Sequence, residues 1–363
     1  MKFKLNKAEH LYIFSLLNRL EKTKLSIKEN KSSTNESLIF YVKNDKLNLY
    51  VNTMFCESGW TLIDLIWEED YCFALDMNLF YSAFNNFPAD EIQFVYNLEE
   101  NTLIFGNKKT RVALKTTPCN KPPELKEHSL LKLDAELLIE AFKMTSFSCS
   151  YENDDYPYNS INFNINGTIN SQSSDKHRIS FFGEVDKNNS YIIDKQTADV
   201  LVYFLDRKHY FQYSLDLNKL LISWQNGYIV ASLGSKVDID TFDNLSQFLD
   251  ANFVLSCKLD RQSFLKSLKF VSSITNSLNT ELNFCDDKLS ISGNSSDKGA
   301  VVDSITLDNN VESIKVSYLS SHLIKILEVL SGTDIIINIL EFNSYNLLMI
   351  ESGKFEHILF PME

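Results

Sequence analysis

The segment Ser173–Arg178 reads Ser-Ser-Asp-Lys-His-Arg and contains the residue types of a hydrolytic site. A histidine beside a carboxylate and hydroxyl groups could act as a general base. Ser-Ser-Asp recurs at Ser295–Asp297, however, where Lys298 and Gly299 follow instead of His-Arg. A recurring turn between strands explains the shared part as structure. The sequence contains no phosphate-binding glycine loop, metal-ligand spacing or nucleophile elbow, so we expect no catalytic residue, no cofactor and no metal.

The sequence repeats one pattern of predicted helices and hairpins three times, with the copies about 120 residues apart. The elements of this repeat must position the segment Ser173–Arg178. Each copy predicts a helix, a hairpin, a second helix and a last hairpin. Equivalent hairpin positions are held by Phe40, Phe163 and Phe284, and then by Leu103, Leu220 and Leu348. A period this long indicates repeated whole domains rather than a solenoid. We therefore predict three domains, at 1–122, 123–247 and 248–363.

Capping residues and helical spacing of apolar residues predict two helices per copy. The predicted first-helix caps are Asn6, Asp134 and Asp260, and the second-helix caps are Asp76, Asp194 and Ser317. The predicted helices cover 6–24, 76–87, 134–149, 194–208, 260–275 and 317–330.

Alternating apolar residues predict antiparallel hairpins. The first turns at Asn44-Asp45, and its equivalent in the third copy turns at Asp286-Asp287. The last hairpins turn near Gly106-Asn107 and Asn226-Gly227. Antiparallel sheets with two helices on one face per copy make each domain α+β.

Composition excludes several classes of protein. The chain of 363 residues is 44% hydrophobic and 23% charged, which is ordinary for a globular protein. It has no apolar stretch long enough for a membrane span and no apolar signal core near Met1, so we expect a cytoplasmic protein without a membrane partner. Six scattered cysteines predict reduced core thiols rather than disulfides or zinc.

A net charge of −13 would repel nucleic acid if it were spread evenly. Basic and acidic residues are almost equal in number in the six predicted helices, so the excess of negative charge lies in the rest of the chain. Taken alone, this mild segregation also fits ordinary solvated helix faces.

Three short segments resemble the bacterial sliding clamp family, the β subunit of DNA polymerase III. Ser173–Ile179 is similar to the family's Thr-Asp-Gly-His-Arg-Leu segment in the middle domain. Thr110–Pro118 resembles the strand and linker that end the first domain, and Ile358–Met362 resembles the closing Val-Met-Pro-Met run. The segments occur in family order and at family spacing within a triple repeat. The chain is thus identified as a divergent member.

The resemblance implies the DNA clamp fold, with sheets outside and two helices per domain inside a ring. It further implies a homodimeric ring that encircles duplex DNA without sequence preference and confers processivity in DNA replication. DNA polymerase and clamp-loader subunits would bind it through short linear peptides. No catalytic role is implied.

The resemblance places a peptide groove between the middle and last domains. Its residues here would be Tyr158, Ser174, Lys176, His177, Arg178, Ile179, Leu245, Tyr345, Leu347, Ile358, Phe360, Pro361 and Met362. Several positions depart from the family. Lys176 replaces a glycine, which suggests a backbone that needs positive φ, and Phe360 is bulkier than the usual methionine. Asp240 stands where the family has proline, and Glu363 replaces a basic residue. We expect a shifted peptide preference.

Helix lysines are the candidates for facing DNA: Lys22, Lys24, Lys143, Lys195, Lys266, Lys269 and Lys325. The resemblance also pairs the first domain's edge strand with the partner's last domain, through Arg111, Val112, Leu114 and Ile274. An ordinary strand within one domain remains the alternative for this segment.

Two other interpretations stay open from the residues alone. His177 could be an ordinary surface or core histidine and Arg178 a surface charge. The whole chain could be a three-domain interaction or scaffold protein with no role on DNA.

Overall fold

A computed structural model describes residues 1–22, 36–53, 56–64, 71–125, 129–150, 156–205, 210–216, 218–234, 242, 245–249, 251–275 and 278–362. These residues fall into two compact units, Met1–Glu136 with Gln196–Leu233 and Leu137–Lys195 with Gly234–Glu363. We call them unit 1 and unit 2.

Six α-helices occur in the described residues, one for each predicted helix. They are α1 (Lys7–Lys22), α2 (Met77–Asn85), α3 (Ala135–Ser146), α4 (Lys195–Leu205), α5 (Arg261–Thr275) and α6 (Ser320–Val329). Short 3-10 helices cover Lys187–Asn189 and Leu245–Phe248. Among the described helices, none is both long and apolar enough to cross a bilayer.

Side-chain caps begin several helices where the sequence predicts them. Asp76 Oδ1 accepts a hydrogen bond from the Leu79 N–H at 2.8 Å, and Asp260 Oδ1 accepts one from Ser263 at 2.7 Å. Each satisfies an amide that the first helical turn leaves unpaired. The cap predicted at Ser317 is wrong, because the strand continues to Leu319 and α6 begins at Ser320 without a side-chain cap.

Unit 1 holds a four-stranded and a nine-stranded antiparallel sheet. The four-stranded sheet has the order β1 (Lys2–Asn6), β6 (Glu91–Asn97), β7 (Thr102–Gly106), β8 (Arg111–Lys115). The nine-stranded sheet has the order β10 (Leu131–Lys132), β15 (Gln212–Asp216), β16 (Lys219–Trp224), β17 (Gly227–Ser232), β4 (Cys56–Asp64), β3 (Lys46–Asn52), β2 (Glu36–Lys43), β5 (Cys72–Asp76), β9 (Thr117–Pro118).

Unit 2 holds an eight-stranded sheet and a two-stranded ribbon. The eight-stranded order is β14 (Tyr191–Asp194), β11 (Ser160–Ile165), β12 (Ile169–Ser174), β13 (Arg178–Phe182), β23 (Phe355–Leu359), β22 (Tyr345–Ser352), β21 (Asp334–Phe342), β18 (Asn252–Asp260). The ribbon pairs β19 (Asn279–Ser295) with β20 (Gly299–Leu319).

The turn predicted at Asp286-Asp287 is wrong. β19 runs through both residues, and its register with β20 shifts on either side of Asp286. Asp286 has φ +54°, so the positive φ marks a bulge rather than a chain reversal. The equivalent Asn44 and Asp45, with φ +51° and +56°, do form the tight turn between β2 and β3.

Strand pairing crosses both predicted domain borders. β17 pairs with β4 through Tyr228 opposite Gly59, and β13 pairs with β23 through Ile179 opposite Ile358. A Cβ atom on Gly59 would lie 2.4 Å from the Tyr228 ring, so glycine makes room for that ring. The strands of residues 123–247 are thus shared between the nine- and eight-stranded sheets. The division into three domains stays a prediction.

Aromatic side chains fill the core of unit 1. Phe14 of α1 packs edge-on against Phe84 of α2, with ring centroids 4.7 Å apart. Trp60, Phe204 and Trp224 form a second aromatic group. Such pairs add to the apolar area that the helices and sheets bury against each other.

Candidate functional site

The hairpin of β12 and β13 positions the segment Ser173–Arg178. β12 ends at Ser174 and β13 begins at Arg178, so the residues between them form a tight connection. Three residues also join β19 to β20 after Ser295, which confirms that Ser-Ser-Asp recurs at a turn between strands. Lys176 has φ +73°, as the family's glycine at this position led us to expect. Ser174 Oγ accepts from the Lys176 N–H at 3.1 Å and stabilises this conformation.

Asp175 does not orient a catalytic histidine. One carboxylate oxygen accepts from Arg178 Nε at 2.7 Å, and the other accepts from the backbone N–H of His177 at 3.2 Å. Both oxygens therefore hold the turn and the guanidinium, and the His177 side chain is exposed. Asp175 and His177 therefore do not have the geometry in which a carboxylate orients a histidine as a general base.

Because side chains alternate along a strand, β13 sends its residues to two different environments. Ile179 and Phe181 lie on one face of the eight-stranded sheet, in what we call the apolar cluster. Its buried members are Ile179, Phe181, Phe248, Leu340, Leu347, Met349 and Ile358, with Leu245, Leu249, Ala251, Phe342 and Phe360 packed at its edge.

The apolar cluster brings together much of the predicted groove. Ile179 lies opposite Ile358 in the β13–β23 pairing, and the Phe360 N–H donates to the His177 carbonyl at 3.1 Å, which extends that pairing. Phe248 contacts the rings of Phe342 and Phe360, with centroids 4.6 and 5.4 Å away. Apolar and aromatic walls of this kind bind the apolar anchors of a peptide.

Seven apolar residues of the cluster were not predicted from the sequence: Phe181, Phe248, Leu249, Ala251, Leu340, Phe342 and Met349. The alternation after Ile179 could have indicated Phe181. Phe248 carried no such signal, because it lies in the short helix Leu245–Phe248, outside the predicted helices and hairpins. A cavity of about 270 Å³ borders the cluster at Phe181 and Leu249.

The remaining predicted groove residues lie around the turn and the last strands. Lys176 Nζ lies 4.6 Å from the Tyr158 ring centroid, a cation–π distance. Tyr345 and Met362 are exposed, and the Met362 N–H donates to the Ser317 carbonyl at 3.0 Å. Pro361 is half-buried. Asp240 and Glu363 lie outside the described residues.

Arg178 points away from the apolar cluster, to the opposite face of the sheet. Its side chain is 2% exposed, and its guanidinium carbon lies 5.7 Å from the Phe147 ring centroid. On the same face, Ser180 Oγ lies 2.6 Å from Ser148 Oγ and 2.7 Å from His357 Nδ1. We call Ser148, Asp175, Arg178, Ser180 and His357 the buried polar network.

The buried polar network is incompletely satisfied. Arg178 Nη1 and His357 Nε2 are both buried, and neither atom has a hydrogen-bond partner among the residues that the structure describes. Burial, followed by the positive charge of Arg178, holds the pKa of His357 well below its ordinary value. Burial and Arg178 also lower the pKa of His322 on α6 to about 4, against a smaller opposing effect of Asp175.

These histidines predict a loss of stability in mild acid. Both are neutral in the folded chain, whereas unfolding lets them take up protons below about pH 6.5. The free energy of unfolding should therefore fall as the pH drops from about 6.5 towards 4. Replacing both residues, as His322→Asn with His357→Asn, should flatten this part of the profile in urea unfolding. His177→Asn, an exposed histidine in the same region, is the matched control, and an unchanged slope in the double variant would contradict the assignment.

The predicted DNA-facing lysines are on several helices of both units. Lys143 of α3, Lys266 and Lys269 of α5 and Lys325 of α6 are exposed, and Lys195 is half-buried at the start of α4. Lys269 Nζ forms an ion pair of 2.6 Å with Glu328 of α6. Lys22 is the last residue of α1, and Lys24 lies outside the described residues.

The predicted dimer strand is β8, the last strand in the order of its sheet. Arg111 is exposed, Val112 is half-buried and Leu114 is buried. Ile274 is exposed on α5, four residues after Phe270, which is 48% exposed and was not predicted. Residues four apart share a helix face, so α5 presents an apolar pair.

No family model matches the sequence, and no curated protein matches it. Solved structures do match the fold. The DNA polymerase III beta subunit of Thermotoga maritima has a TM-score of 0.84 at 15% identity, covering 100% of this chain and 99% of that one. The DNA polymerase sliding clamp of Bacillus subtilis gives 0.84 at 14% identity, with 100% and 99% covered.

A sliding clamp (DNA polymerase III subunit beta) of Pseudomonas aeruginosa, bound to griselimycin, gives a TM-score of 0.83 at 15% identity over 100% of this chain and 99% of that one. The likeness thus runs from one end of the chain to the other and includes both helices and sheets. The chain has the α+β sliding-clamp fold.

Proposed function

We propose that this protein is a DNA sliding clamp, a processivity subunit that has no catalytic residue of its own. It encircles duplex DNA and tethers a replicative polymerase to it. The observation that carries the proposal is the clamp fold over the full length of the chain. Because one fold can serve several functions, the apolar cluster and the helix charges are the supporting observations.

The apolar cluster is the proposed site for partner peptides. The family resemblance implied five of its residues from separate parts of the chain, and they pack together in unit 2: Ile179, Leu245, Leu347, Ile358 and Phe360. The half-buried Phe342 and Phe360 add an aromatic edge. Short peptides from polymerase and clamp-loader subunits would place apolar side chains here.

The helix lysines are the proposed surface towards DNA. A clamp that slides needs weak contacts with phosphates, since each strong contact makes affinity depend steeply on salt and slows movement. The ion pair of Lys269 with Glu328 lowers the positive charge that α5 can offer. A nearly neutral set of helices is compatible with sliding.

Retention on DNA circles tests the function. The protein is loaded onto nicked circular plasmid by a bacterial clamp loader, and bound protein is separated from unbound protein by gel filtration. A clamp should be retained on the circle and lost after one restriction cut. Equal retention on both forms would indicate an ordinary DNA binder. No retention on either form would favour the scaffold alternative.

We propose a homodimer in which β8 of one protomer pairs with the last domain of the other. Among the described strands, β8 is at the edge of its sheet, where it offers backbone donors and acceptors. The apolar pair Phe270 and Ile274 offers area to bury. The double variant Phe270→Glu with Ile274→Glu should weaken dimerisation at least about tenfold, because charges would be buried unpaired. Light scattering after size exclusion measures this.

Leu131→Glu is the matched control, since Leu131 is 58% exposed on β10, in the predicted middle domain, which has no part in the proposed dimer. It should leave the dimer intact. A wild-type chain that stays monomeric at every concentration would contradict the dimer.

A further inference from the structure

Two cysteines far apart in sequence meet at an edge of unit 1. β5 and β9 pair through Phe73 opposite Pro118 and Ala74 opposite Thr117, so the next facing pair is Cys72 and Cys119. The two Sγ atoms are 3.0 Å apart, and the Cys119 N–H donates to the Cys72 carbonyl at 3.5 Å. The sequence predicted scattered core thiols, and their spacing could not reveal this pair.

The position suits a reversible bond between the sulfurs. Facing residues on antiparallel strands have Cα atoms about 4.5–5.5 Å apart, which lies within the range that a disulfide needs. The sulfurs need to approach by only about 1 Å to reach bonding distance. Cys56, Cys149 and Cys257 are buried, whereas Cys72 and Cys119 are partly exposed and therefore accessible to a small oxidant.

We propose that Cys72 and Cys119 are a redox-active dithiol, which forms an intramolecular disulfide by exchange with a small-molecule disulfide of the glutathione type. The Cys119 thiolate attacks one sulfur of the oxidant and releases one small thiolate. The Cys72 sulfur then loses its proton and attacks Cys119 Sγ, which releases the second small thiol. The two protein thiols give up two protons and two electrons, and the oxidant becomes two thiols.

The order of attack follows from the surroundings of Cys72. Burial and its hydrogen bond with Cys119 raise the pKa of the Cys72 thiol, with a weaker opposing effect of Lys121. Its Sγ also donates to the Asn120 carbonyl at 3.3 Å. Cys72 thus keeps its proton longer, which suits the resolving position.

A disulfide between Cys72 and Cys119 would hold the first residue of the segment 119–125 against β5. Further along, Glu124 forms an ion pair with Lys43 of β2. Residues of this segment line two cavities in unit 1, of about 340 Å³ and about 470 Å³. Oxidation therefore restricts the motion of a segment that lines both cavities. The backbone amides of this segment should exchange hydrogen several-fold more slowly in the oxidised protein.

The test incubates the full chain with graded ratios of oxidised to reduced glutathione, followed by acid quench, alkylation and mass spectrometry. We expect a species that has lost two hydrogen atoms, a peptide linking Cys72 to Cys119, and full reversal by dithiothreitol. Cys72→Ser and Cys119→Ser should each abolish it. Cys285→Ser, at an exposed cysteine in unit 2, is the matched control and should not.

Alkylation of both thiols after full oxidation would overturn the proposal. So would a stable mixed disulfide at Cys119 alone, or a link from either residue to another cysteine. If a serine variant does not fold, the peptide map of the wild-type chain still decides between these outcomes.

Discussion

Replacing Asp175 with asparagine should lower the free energy of unfolding by about 3 kcal/mol, because it leaves the buried Arg178 guanidinium without its counter-charge. The two side chains are 13% and 2% exposed, and the Asp175 carboxylate accepts directly from Arg178 Nε at 2.7 Å. Arg178 Nη1 already lacks a hydrogen-bond partner among the described residues, so the guanidinium would lose its ion pair and keep the weaker contact with the Phe147 ring. Urea unfolding followed by circular dichroism measures the loss.

The matched control is the double variant Asp175→Asn with Arg178→Met. Removing both charges leaves no buried ion, and a methionine can still contact Phe147, so most of the lost stability should return. Hydrogen exchange in β13 and β23 gives a local measure of the same effect. A double variant as unstable as the single one would show that the charge pair is not the cause.

Replacing Phe360 with glutamate should weaken the binding of a standard clamp-binding pentapeptide at least about tenfold, or about 1.4 kcal/mol. Phe360 packs at the edge of the apolar cluster, 5.4 Å from the Phe248 ring. A carboxylate at this position would have to lose water when an apolar peptide side chain binds. Fluorescence anisotropy of the labelled peptide measures the affinity.

Two further variants show whether a change in peptide affinity comes from the apolar cluster or from a general effect of the substitution. Phe253→Glu is the control, since Phe253 is 54% exposed on β18 and outside the apolar cluster. Phe360→Met restores the residue type usual in the family, widens the subpocket and should raise the affinity. Equal binding by the wild type and Phe360→Glu would contradict the site. An affinity of the wild type equal to that of a typical clamp would contradict the shifted preference.

The sequence predicted the local elements well for a physical reason. Helix caps such as Asp76 and Asp260, and turns such as Asn44-Asp45, are decided by hydrogen bonds and φ angles within a few residues. Because the pattern occurs three times, each local element was predicted from three equivalent segments. The same reasoning gave wrong predictions where the third copy differs: the predicted turn at Asp286 is a bulge, and the predicted helix cap at Ser317 lies within a strand.

The sequence by itself determined six helices and their approximate ends, and its resemblance to the clamp family indicated Ile179 and Ile358 for the candidate site. Only the tertiary structure decided which strands are neighbours, since alternation gives a strand two faces but names no partner. Long-range pairing placed Ile358 beside Ile179, set His357 beside Ser180 and brought Cys119 opposite Cys72. These contacts join residues far apart in the chain, and no local pattern records them.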